Sequence, residues 1–313
     1  MEDAPNDLTQ PQMIVSQPTE LPVQVLRAAR EWEKREKTSL FAFICTFGSA
    51  VSFTKAFVDV VYQSRKQFDG IERMDVLLDH FGGDVGGAYQ LVNFLRRRCK
   101  TLRVFIPDYA KSASTLLPLG ADEFWMSDAS EIGPLDAQIP DPRDPDNYIS
   151  ALDEFRAVDY LRTHSFEILN EFSKMLGRTT SLGTKERLQL SIQYTTQLMA
   201  PLYSNVDPIH FGGSHRSVDV SIEYGRRVMS RFAYRNWSQK RIMDLLKKLA
   251  WDYPSHPFVI DFAEAQELGL RAKMLDGELN DLAHEMLDGL GAAAGFLGRS
   301  GEAPEPKPPN AEG

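Results

Sequence analysis

The feature that most constrains the fold is an alternation of short apolar runs with amphipathic segments between about residues 38 and 140. The apolar runs have the length and composition of buried strands and cover residues 40–47, 74–79, 102–106 and 123–126. The segments with helical spacing cover residues 53–65, 85–98 and 112–120. Strands that alternate with helices in this way predict βαβ units, and therefore an α/β fold with a mainly parallel sheet and flanking helices.

The rest of the chain is predicted from composition and periodicity. Residues 1–22 and the tail from about residue 299 are rich in proline and polar residues, and we expect the terminal segments 1–22 and 291–313 to be disordered. One domain is expected over residues 23–290, beginning with an amphipathic helix at 23–37 and carrying a helical insertion at about 148–250. The Pro- and Asp-rich stretch 131–147 is predicted to be a loop, and the helical insertion to break at 177–183 and 205–214. Residues 256–270 are expected to return to a strand and a short helix.

Charge and composition exclude several classes of protein. The chain of 313 residues has a formal net charge of −9, which argues against broad nucleic-acid binding because phosphate contacts need a basic surface. Its longest apolar stretch, 40–53, falls short of the ~20 residues of a membrane span, and we expect a cytoplasmic protein without a signal peptide. Cys45 and Cys99 are predicted to be buried free thiols, with no disulfide or cysteine-based zinc site.

Two strand-to-helix turns carry residues that could perform chemistry. The first, residues 79–88 (DHFGGDVGGA), has glycines that can leave backbone N–H groups uncovered beside a helix N-terminus, a place that attracts negative charge. The second, residues 110–115 (AKSAST), holds serines where a hydroxyl could lie at the mouth of the sheet. The alternatives are an ordinary tight turn and an ordinary serine helix cap.

The order of these segments resembles the ClpP/crotonase superfamily and, more closely, the serine dehydrogenase proteinase family, which is related to the signal peptide peptidase SppA. The resemblance is carried by GGD at 82–84, KSASTLLPLGADEFWM at 111–126 and SEIGPLDAQI at 130–139, and it resumes with EAQELGL at 264–270. It implies a ClpP/crotonase-like fold and a soluble serine peptidase. Phe81 stands where the family has proline, and Ser114 where it has glycine.

The resemblance also implies roles for individual residues. Ser112 occupies the position of the nucleophile. The amides of Gly83 and Ala113, with Gly82 as the alternative to Gly83, would form the oxyanion hole. His80 and Asp136 are expected to have supporting roles.

The base that would accept the proton of Ser112 is not identified by the sequence. ClpP-type proteases have a histidine near positions 135–137, where this chain has Asp136, and SppA-like enzymes use a following lysine. Lys174 is the first lysine after Ser112, and it and His256 are the candidate bases, with His164 a further possibility. Lys111 adjoins Ser112, but neighbouring helical side chains point apart.

Three functions remain open at this stage. The first is a serine hydrolase acting on a peptide or protein, and the second is a catalytically silent ClpP-like scaffold that binds peptides or a protein partner. The third is acyl-CoA chemistry of the crotonase type. No cofactor is expected. The stretch 207–216 holds His210 and His215, but on a predicted loop without regular ligand spacing, so no metal site is predicted there. The resemblance implies a homo-oligomer; no nucleic-acid partner is expected.

Overall fold

The structure of the protein is a computed structural model that describes residues 14–16, 22–45, 52–135, 138–141, 144–290 and 295–297. Most of the segments predicted to be disordered, 1–22 and 291–313, lies outside these residues, and so does Asp136. The described parts of those two segments include short strands at Ile14–Ser16 and Gly295–Leu297, which pair with each other.

The strands of the described chain are as follows in sequence order: β1 (Ile14–Ser16), β2 (Ser39–Ile44), β3 (Arg73–Asp79), β4 (Thr101–Ile106), β5 (Tyr109–Ala110), β6 (Glu123–Met126), β7 (Glu131–Ile132), β8 (Gln138–Asp141), β9 (Asp144–Ser150), β10 (Ala272–Met274) and β11 (Gly295–Leu297). The main sheet has the order β1-β11-β2-β3-β4-β6-β10. Its pairs from β2 to β10 are all parallel, and β11 is antiparallel to β2. The predicted α/β fold with a mainly parallel sheet is confirmed.

The α-helices are α1 (Val23–Glu36), α2 (Lys55–Gln63), α3 (Val85–Arg96), α4 (Leu116–Gly120), α5 (Ala151–Thr179), α6 (Thr184–Tyr203), α7 (Pro208–Arg231), α8 (Gln239–Lys247), α9 (Phe262–Glu267) and α10 (Gly277–Leu290). A 3-10 turn, Ser112–Thr115, precedes α4 where a single helix over 112–120 was predicted. No helix within the described ranges is both long enough and apolar enough to cross a membrane.

The main sheet is covered on both faces because its strands are apolar on both sides. On β2, Leu40, Ala42 and Ile44 belong to a buried cluster with side chains of α1 and α10. The alternate residue Phe43 lies with its ring centroid 6.0 Å from that of Phe57 on α2. This period of two is the pattern of a strand buried between two helical layers.

A buried ion pair ties the centre of the sheet to α1. The carboxylate of Asp75 on β3 accepts hydrogen bonds from Nε and Nη2 of Arg103 on β4, at 2.7 and 2.6 Å. It also accepts a hydrogen bond of 2.8 Å from Nε1 of Trp32 on α1. Asp75 is fully buried and Arg103 is 4% exposed, so both charges depend on these contacts.

The chain divides into two compact units, Met1–Leu135 with Ser221–Gly313, and Asp136–Val220. Inside the second unit, α5 and α6 form an antiparallel pair in which Phe172 stacks on Tyr194 with ring centroids 4.3 Å apart. The mainly helical character predicted for this region is therefore seen in the structure. Nearly all of the active-site candidates lie in the first unit, whereas Lys174 and His164 lie on α5.

Three predictions about local structure are wrong. The stretch predicted as a loop at 131–147 contains β7, β8 and most of β9. The predicted break at 205–214 is mostly the start of α7, since Pro208 occupies the first helical position and the Asp207 carboxylate accepts a hydrogen bond of 2.8 Å from the amide of Ile209. In place of the strand predicted at the start of 256–270, only Ile260 makes a bridge, to Ile132, and the edge strand β10 comes later.

Candidate active site

The two turns singled out in the sequence follow neighbouring parallel strands, β3 and β4, and leave the sheet at the same edge. They continue side by side beyond the sheet. The amide of His80 donates to the carbonyl of Tyr109 at 3.0 Å, and the amide of Lys111 donates to the carbonyl of His80 at 3.0 Å. These bonds bring the glycine turn and the serine turn together.

Gly82 is packed directly against the serine turn. A Cβ atom added to Gly82 would lie 2.6 Å from the carbonyl oxygen of Lys111, 2.9 Å from the nitrogen of Ala113 and 3.1 Å from Cβ of Ser112. Gly82 also has a φ of +105°, a backbone conformation that residues other than glycine rarely adopt. The close approach of the two turns therefore requires glycine at this position.

The third segment of the resemblance also reaches the site. The amide of Gly133 donates to the carbonyl of Ala110 at 2.9 Å, continuing the pairing of β5 with β7. A Cβ on Gly133 would lie 3.0 Å from the nitrogen of Ser112. Three stretches distant in sequence thus meet around Ser112.

Ser112 has an uncommon backbone conformation. Its φ is +55°, which is the left-handed region and is uncommon for a residue with a side chain. The residue is 6% exposed, and its hydroxyl makes no hydrogen bond to any other residue that the structure describes. Strained backbone and an unengaged hydroxyl are features found at reactive serines.

Ser114 differs from Ser112 because its hydroxyl is committed to structure. It is fully buried, and its Oγ lies 2.8 and 2.6 Å from the carbonyl oxygens of His80 and Lys111, which share its single O–H as acceptors. The hydroxyl of Thr115 is used in the same way, on the carbonyls of Ala110 and Gly133. Ser112 is therefore the serine of this turn whose hydroxyl remains available.

The backbone amides of the site divide into used and unused donors. The N–H of Gly82 donates to Nδ1 of His80 at 2.9 Å. The N–H groups of Gly83 and Ala113 donate to no partner within the described ranges, and Gly83 is exposed. Of the two glycines that the sequence left open, Gly83 is the one with an amide free to bind a negative oxygen.

His80 is buried in the protein and is not placed to touch a substrate. It has no exposed surface, and its ring stacks on Phe53 with centroids 3.8 Å apart. Burial lowers the pKa of His80 to about 3, so the ring is neutral at physiological pH. Because Nδ1 accepts from Gly82, the proton of the neutral ring lies on Nε2, and the supporting role expected for His80 stays a prediction.

Lys111 links the site to the segment that contains His256. Its Nζ forms an ion pair of 2.7 Å with Glu131 and donates to the carbonyl of Phe258 at 3.1 Å. A longer contact of 3.4 Å reaches the carbonyl of Pro257. With its ammonium engaged in this way, Lys111 holds the half-buried His256 segment beside the serine turn.

The other candidate bases are in the second unit. Lys174 and His164 lie on α5, and His164 faces Glu167 on the same helix at 3.3 Å. Asp136, which the resemblance gives a supporting role, is outside the described residues. The roles of Lys174, His256 and Asp136 stay predictions.

The histidines of the stretch 207–216 lie on α7 and not on a loop. Nδ1 of His210 is 2.5 Å from the carboxylate of Glu154, which also accepts a hydrogen bond of 2.7 Å from the hydroxyl of Ser214. His215 contacts Asp219, one turn along the same helix. Among the described residues, no group of three or more His, Cys, Asp or Glu side chains could hold a metal ion.

Asp79, the last residue of β3, is a buried carboxyl next to the site. It is 3% exposed, and its Oδ1 has no hydrogen-bond partner among the described residues. Burial is the main reason that the pKa of Asp79 is raised to about 7, and the negative charge of Asp108 also raises it. A hydrogen bond from the amide of Tyr109 lowers this pKa, but by less. The carboxyl is therefore half-protonated near neutral pH.

We expect Asp79→Asn to change how stability depends on pH. A carboxyl whose pKa is raised in the folded state stabilises it below the pKa of the unfolded chain, and this stabilisation is lost as pH rises to about 7. The free energy of unfolding of the variant, relative to wild type, should therefore rise by on the order of 2 kcal/mol between about pH 5 and pH 8. Urea denaturation at both pH values measures this, and an equal difference at the two would contradict it.

We expect Gly82→Ala to damage the site without unfolding the chain. The added methyl group meets backbone atoms of Lys111 and Ala113, so the two turns must separate by several tenths of an ångström. Labelling of Ser112 by a fluorophosphonate should slow by at least about tenfold, since oxyanion binding depends on donor position. Gly70→Ala, at a positive φ with open space around it, is the matched control and should label at the wild-type rate.

Comparison with known proteins assigns no family. No protein-family model matches the chain. It is similar to an uncharacterized protein of Methanocaldococcus jannaschii, with 35% identity over 66 residues. That match covers 21% of this chain and 23% of the other protein, so less than a quarter of either is involved.

Proposed function

We propose that this protein is a serine hydrolase that cleaves peptide bonds, with Ser112 as the nucleophile. The observation that carries the proposal is the convergence of Gly82–Gly83 with Ser112, which brings an unengaged hydroxyl together with the turn that holds an unused amide. The segments that meet are also those that resemble the serine dehydrogenase proteinase family. A hydroxyl and backbone donors of this kind are the two elements that acyl transfer needs.

In the proposed reaction, Oγ of Ser112 attacks the carbonyl carbon of the scissile peptide bond and its proton passes to a base. The carbonyl oxygen becomes negative and is held by the N–H groups of Gly83 and Ala113. The base then protonates the leaving amine as the C–N bond breaks, which leaves an ester on Ser112. Water then attacks this acyl-enzyme and gives a proton to the same base. The bond between the acyl carbon and Oγ breaks, the base returns the proton to Oγ, and the carboxylic acid product is released with Ser112 regenerated.

For the base, the contacts of Lys111 favour His256 over Lys174. Lys111 is covalently joined to Ser112, and its Nζ holds the carbonyls of the two residues that follow His256. An imidazole nitrogen can accept a proton and return it to the leaving group. Within this proposal His256→Gln should lower the maximal rate, whereas Lys174→Gln should leave it unchanged. A homo-oligomer and a cytoplasmic location remain predictions.

The experiment that tests the proposal is labelling of the full chain with a fluorophosphonate, followed by peptide mapping. We expect one phosphonyl group on the peptide that contains Ser112, because an activated serine is the target of this reagent. Chain unfolded in urea is the control for non-specific reaction and should not label. Absence of the label from Ser112 in folded protein would contradict the proposal.

A further inference from the structure

A second cluster of charged side chains lies at the amino-terminal ends of the parallel strands, whereas Ser112 lies beyond their carboxyl ends. Lys100, Asp122 and Arg271 each directly precede one of three neighbouring parallel strands, β4, β6 and β10. Ser112 follows β4 at its other end. Since β4 has six residues, the two places are separated by about 20 Å along the strand direction.

This cluster surrounds a cavity of about 240 Å³ in the first unit. The cavity is lined mostly by polar side chains, with Phe232 and Ala233 as the apolar contribution. Five of the lining side chains are cationic and one is anionic: Arg96, Lys100, Arg231, Arg235, Arg271 and Asp122. Such a concentration of positive charge stands out on a chain with a formal net charge of −9.

The carboxylates around the cavity do not balance these cations. Asp122 pairs with Arg96, and Glu72 pairs with Lys100 at 2.5 Å. Arg231, Arg235 and Arg271 form no ion pair with any residue in the part of the chain described here. Among the described residues, three guanidinium groups around one small cavity thus have no carboxylate paired with them.

Several of the cations are held in place by neutral contacts. The guanidinium of Arg96 lies 5.1 Å from the centroid of the Phe232 ring, and its buried Nε has no partner among the described residues. Arg231 donates to the side-chain oxygen of Asn93 at 2.9 Å. Arg271 donates to the backbone carbonyl of Asp122 at 3.2 Å and lies over the ring of Tyr234. Groups positioned before binding lose less entropy when a ligand arrives.

We propose that this cavity is a binding site for a compact polyvalent oxyanion of the phosphate class. Each guanidinium group can donate two parallel N–H bonds to a pair of phosphate oxygens. Several guanidinium groups around one cavity can bind the tetrahedrally arranged oxygens of a phosphate from different sides, whereas a single planar carboxylate offers only two oxygens. The small volume and polar lining suit inorganic phosphate, pyrophosphate or the phosphate group of a small metabolite. The site is independent of the proposed hydrolase activity and does not include any residue of the candidate active site.

The test is isothermal titration calorimetry of the full chain with sodium pyrophosphate and with sodium phosphate in about 0.15 M NaCl. Salt at this concentration screens non-specific attraction between the anion and exposed charges. We expect saturable binding at one site per chain. Arg231→Gln combined with Arg235→Gln should weaken it by at least about tenfold, as expected for the loss of charge-assisted hydrogen bonds. Both residues are exposed, so the double variant should fold normally.

The matched control is the pair Arg178→Gln and Arg216→Gln, which removes the same charge at exposed positions on α5 and α7. It should bind as wild type does. Lack of saturable binding, or equal weakening in both double variants, would overturn the proposal. Tighter binding of citrate than of pyrophosphate would contradict a ligand of the phosphate class. Binding of a single-stranded oligonucleotide but not of pyrophosphate would also overturn the proposal, because it would indicate a nucleic acid as the ligand.

Discussion

Ser112→Ala is expected to reduce peptide hydrolysis by at least about 10³-fold while the fold is retained, because the variant has no atom that can form the acyl-enzyme. Alanine can keep the 3-10 turn of residues 112–115, since the Ser112 hydroxyl makes no hydrogen bond to another described residue. The measurement is the rate at which a peptide library is cleaved, read by mass spectrometry, with circular dichroism to verify folding.

The matched control for this prediction is Ser114→Ala, two residues along the same turn. It removes a buried hydroxyl that donates to the carbonyls of His80 and Lys111, so it should lower stability by about 1–2 kcal/mol and slow hydrolysis far less than Ser112→Ala does. Equal rates for wild type and Ser112→Ala would exclude Ser112 as the nucleophile. Peptide binding without cleavage in both proteins would instead favour the catalytically silent scaffold.

Asp75→Ala is expected to lower the free energy of unfolding by about 3–5 kcal/mol, more than any other variant proposed for this chain. The reason is that Arg103 is left as a buried cation without its main partner. The variant also removes the acceptor of the Trp32 indole N–H, which is fully buried. Glu36 remains 2.9 Å from Arg103 and compensates in part. The free energy of unfolding from urea denaturation measures the effect.

Two further variants separate the buried charge from the loss of a side chain as such. Asp59→Ala removes an exposed carboxylate that pairs with Lys55 one turn away, and it should cost less than about 1 kcal/mol. Replacing both partners, with Asp75→Leu and Arg103→Met, should recover much of the lost stability because no unpaired charge stays buried. If the double variant is less stable than Asp75→Ala, the desolvated cation is not the cause.

Much of the fold could be predicted because its strands are buried on both faces. The run SLFAFI has a single polar residue, and RMDVLLD keeps the apolar stretch VLL at its centre, while the helices between the strands begin and end at ordinary signals, such as the Asp84 cap of α3. The short edge strand β10 was missed because three residues with one buried position give no periodic pattern. The start of α7 is hard to see in the sequence because Pro208, Gly212 and Gly213 lie close together there, although proline is favoured at the first helical position.

From the sequence, only the family resemblance assigns the glycine turn and Ser112 to one site. The structure shows the physical reason: β3 and β4 are neighbouring parallel strands, so the turns that follow them meet at the carboxyl ends of the strands. The engagement of Lys111 could not be predicted, because its carbonyl partner Phe258 is 147 residues away. His80 accepts a hydrogen bond from the amide of Gly82, which is only two residues away in the sequence. This hydrogen bond could not be predicted either, because it depends on the geometry of the turn, which residue types alone do not specify.

A crystal structure of the chain after reaction with a fluorophosphonate tests directly whether Ser112 and the two amides form one site. We expect a phosphonyl group on Oγ of Ser112 with its oxygen about 2.7–3.1 Å from the amide nitrogens of both Gly83 and Ala113. An adduct on a different residue would contradict it. A phosphonyl oxygen on Ser112 that points into solvent, with those two amides bonded elsewhere, would contradict it equally.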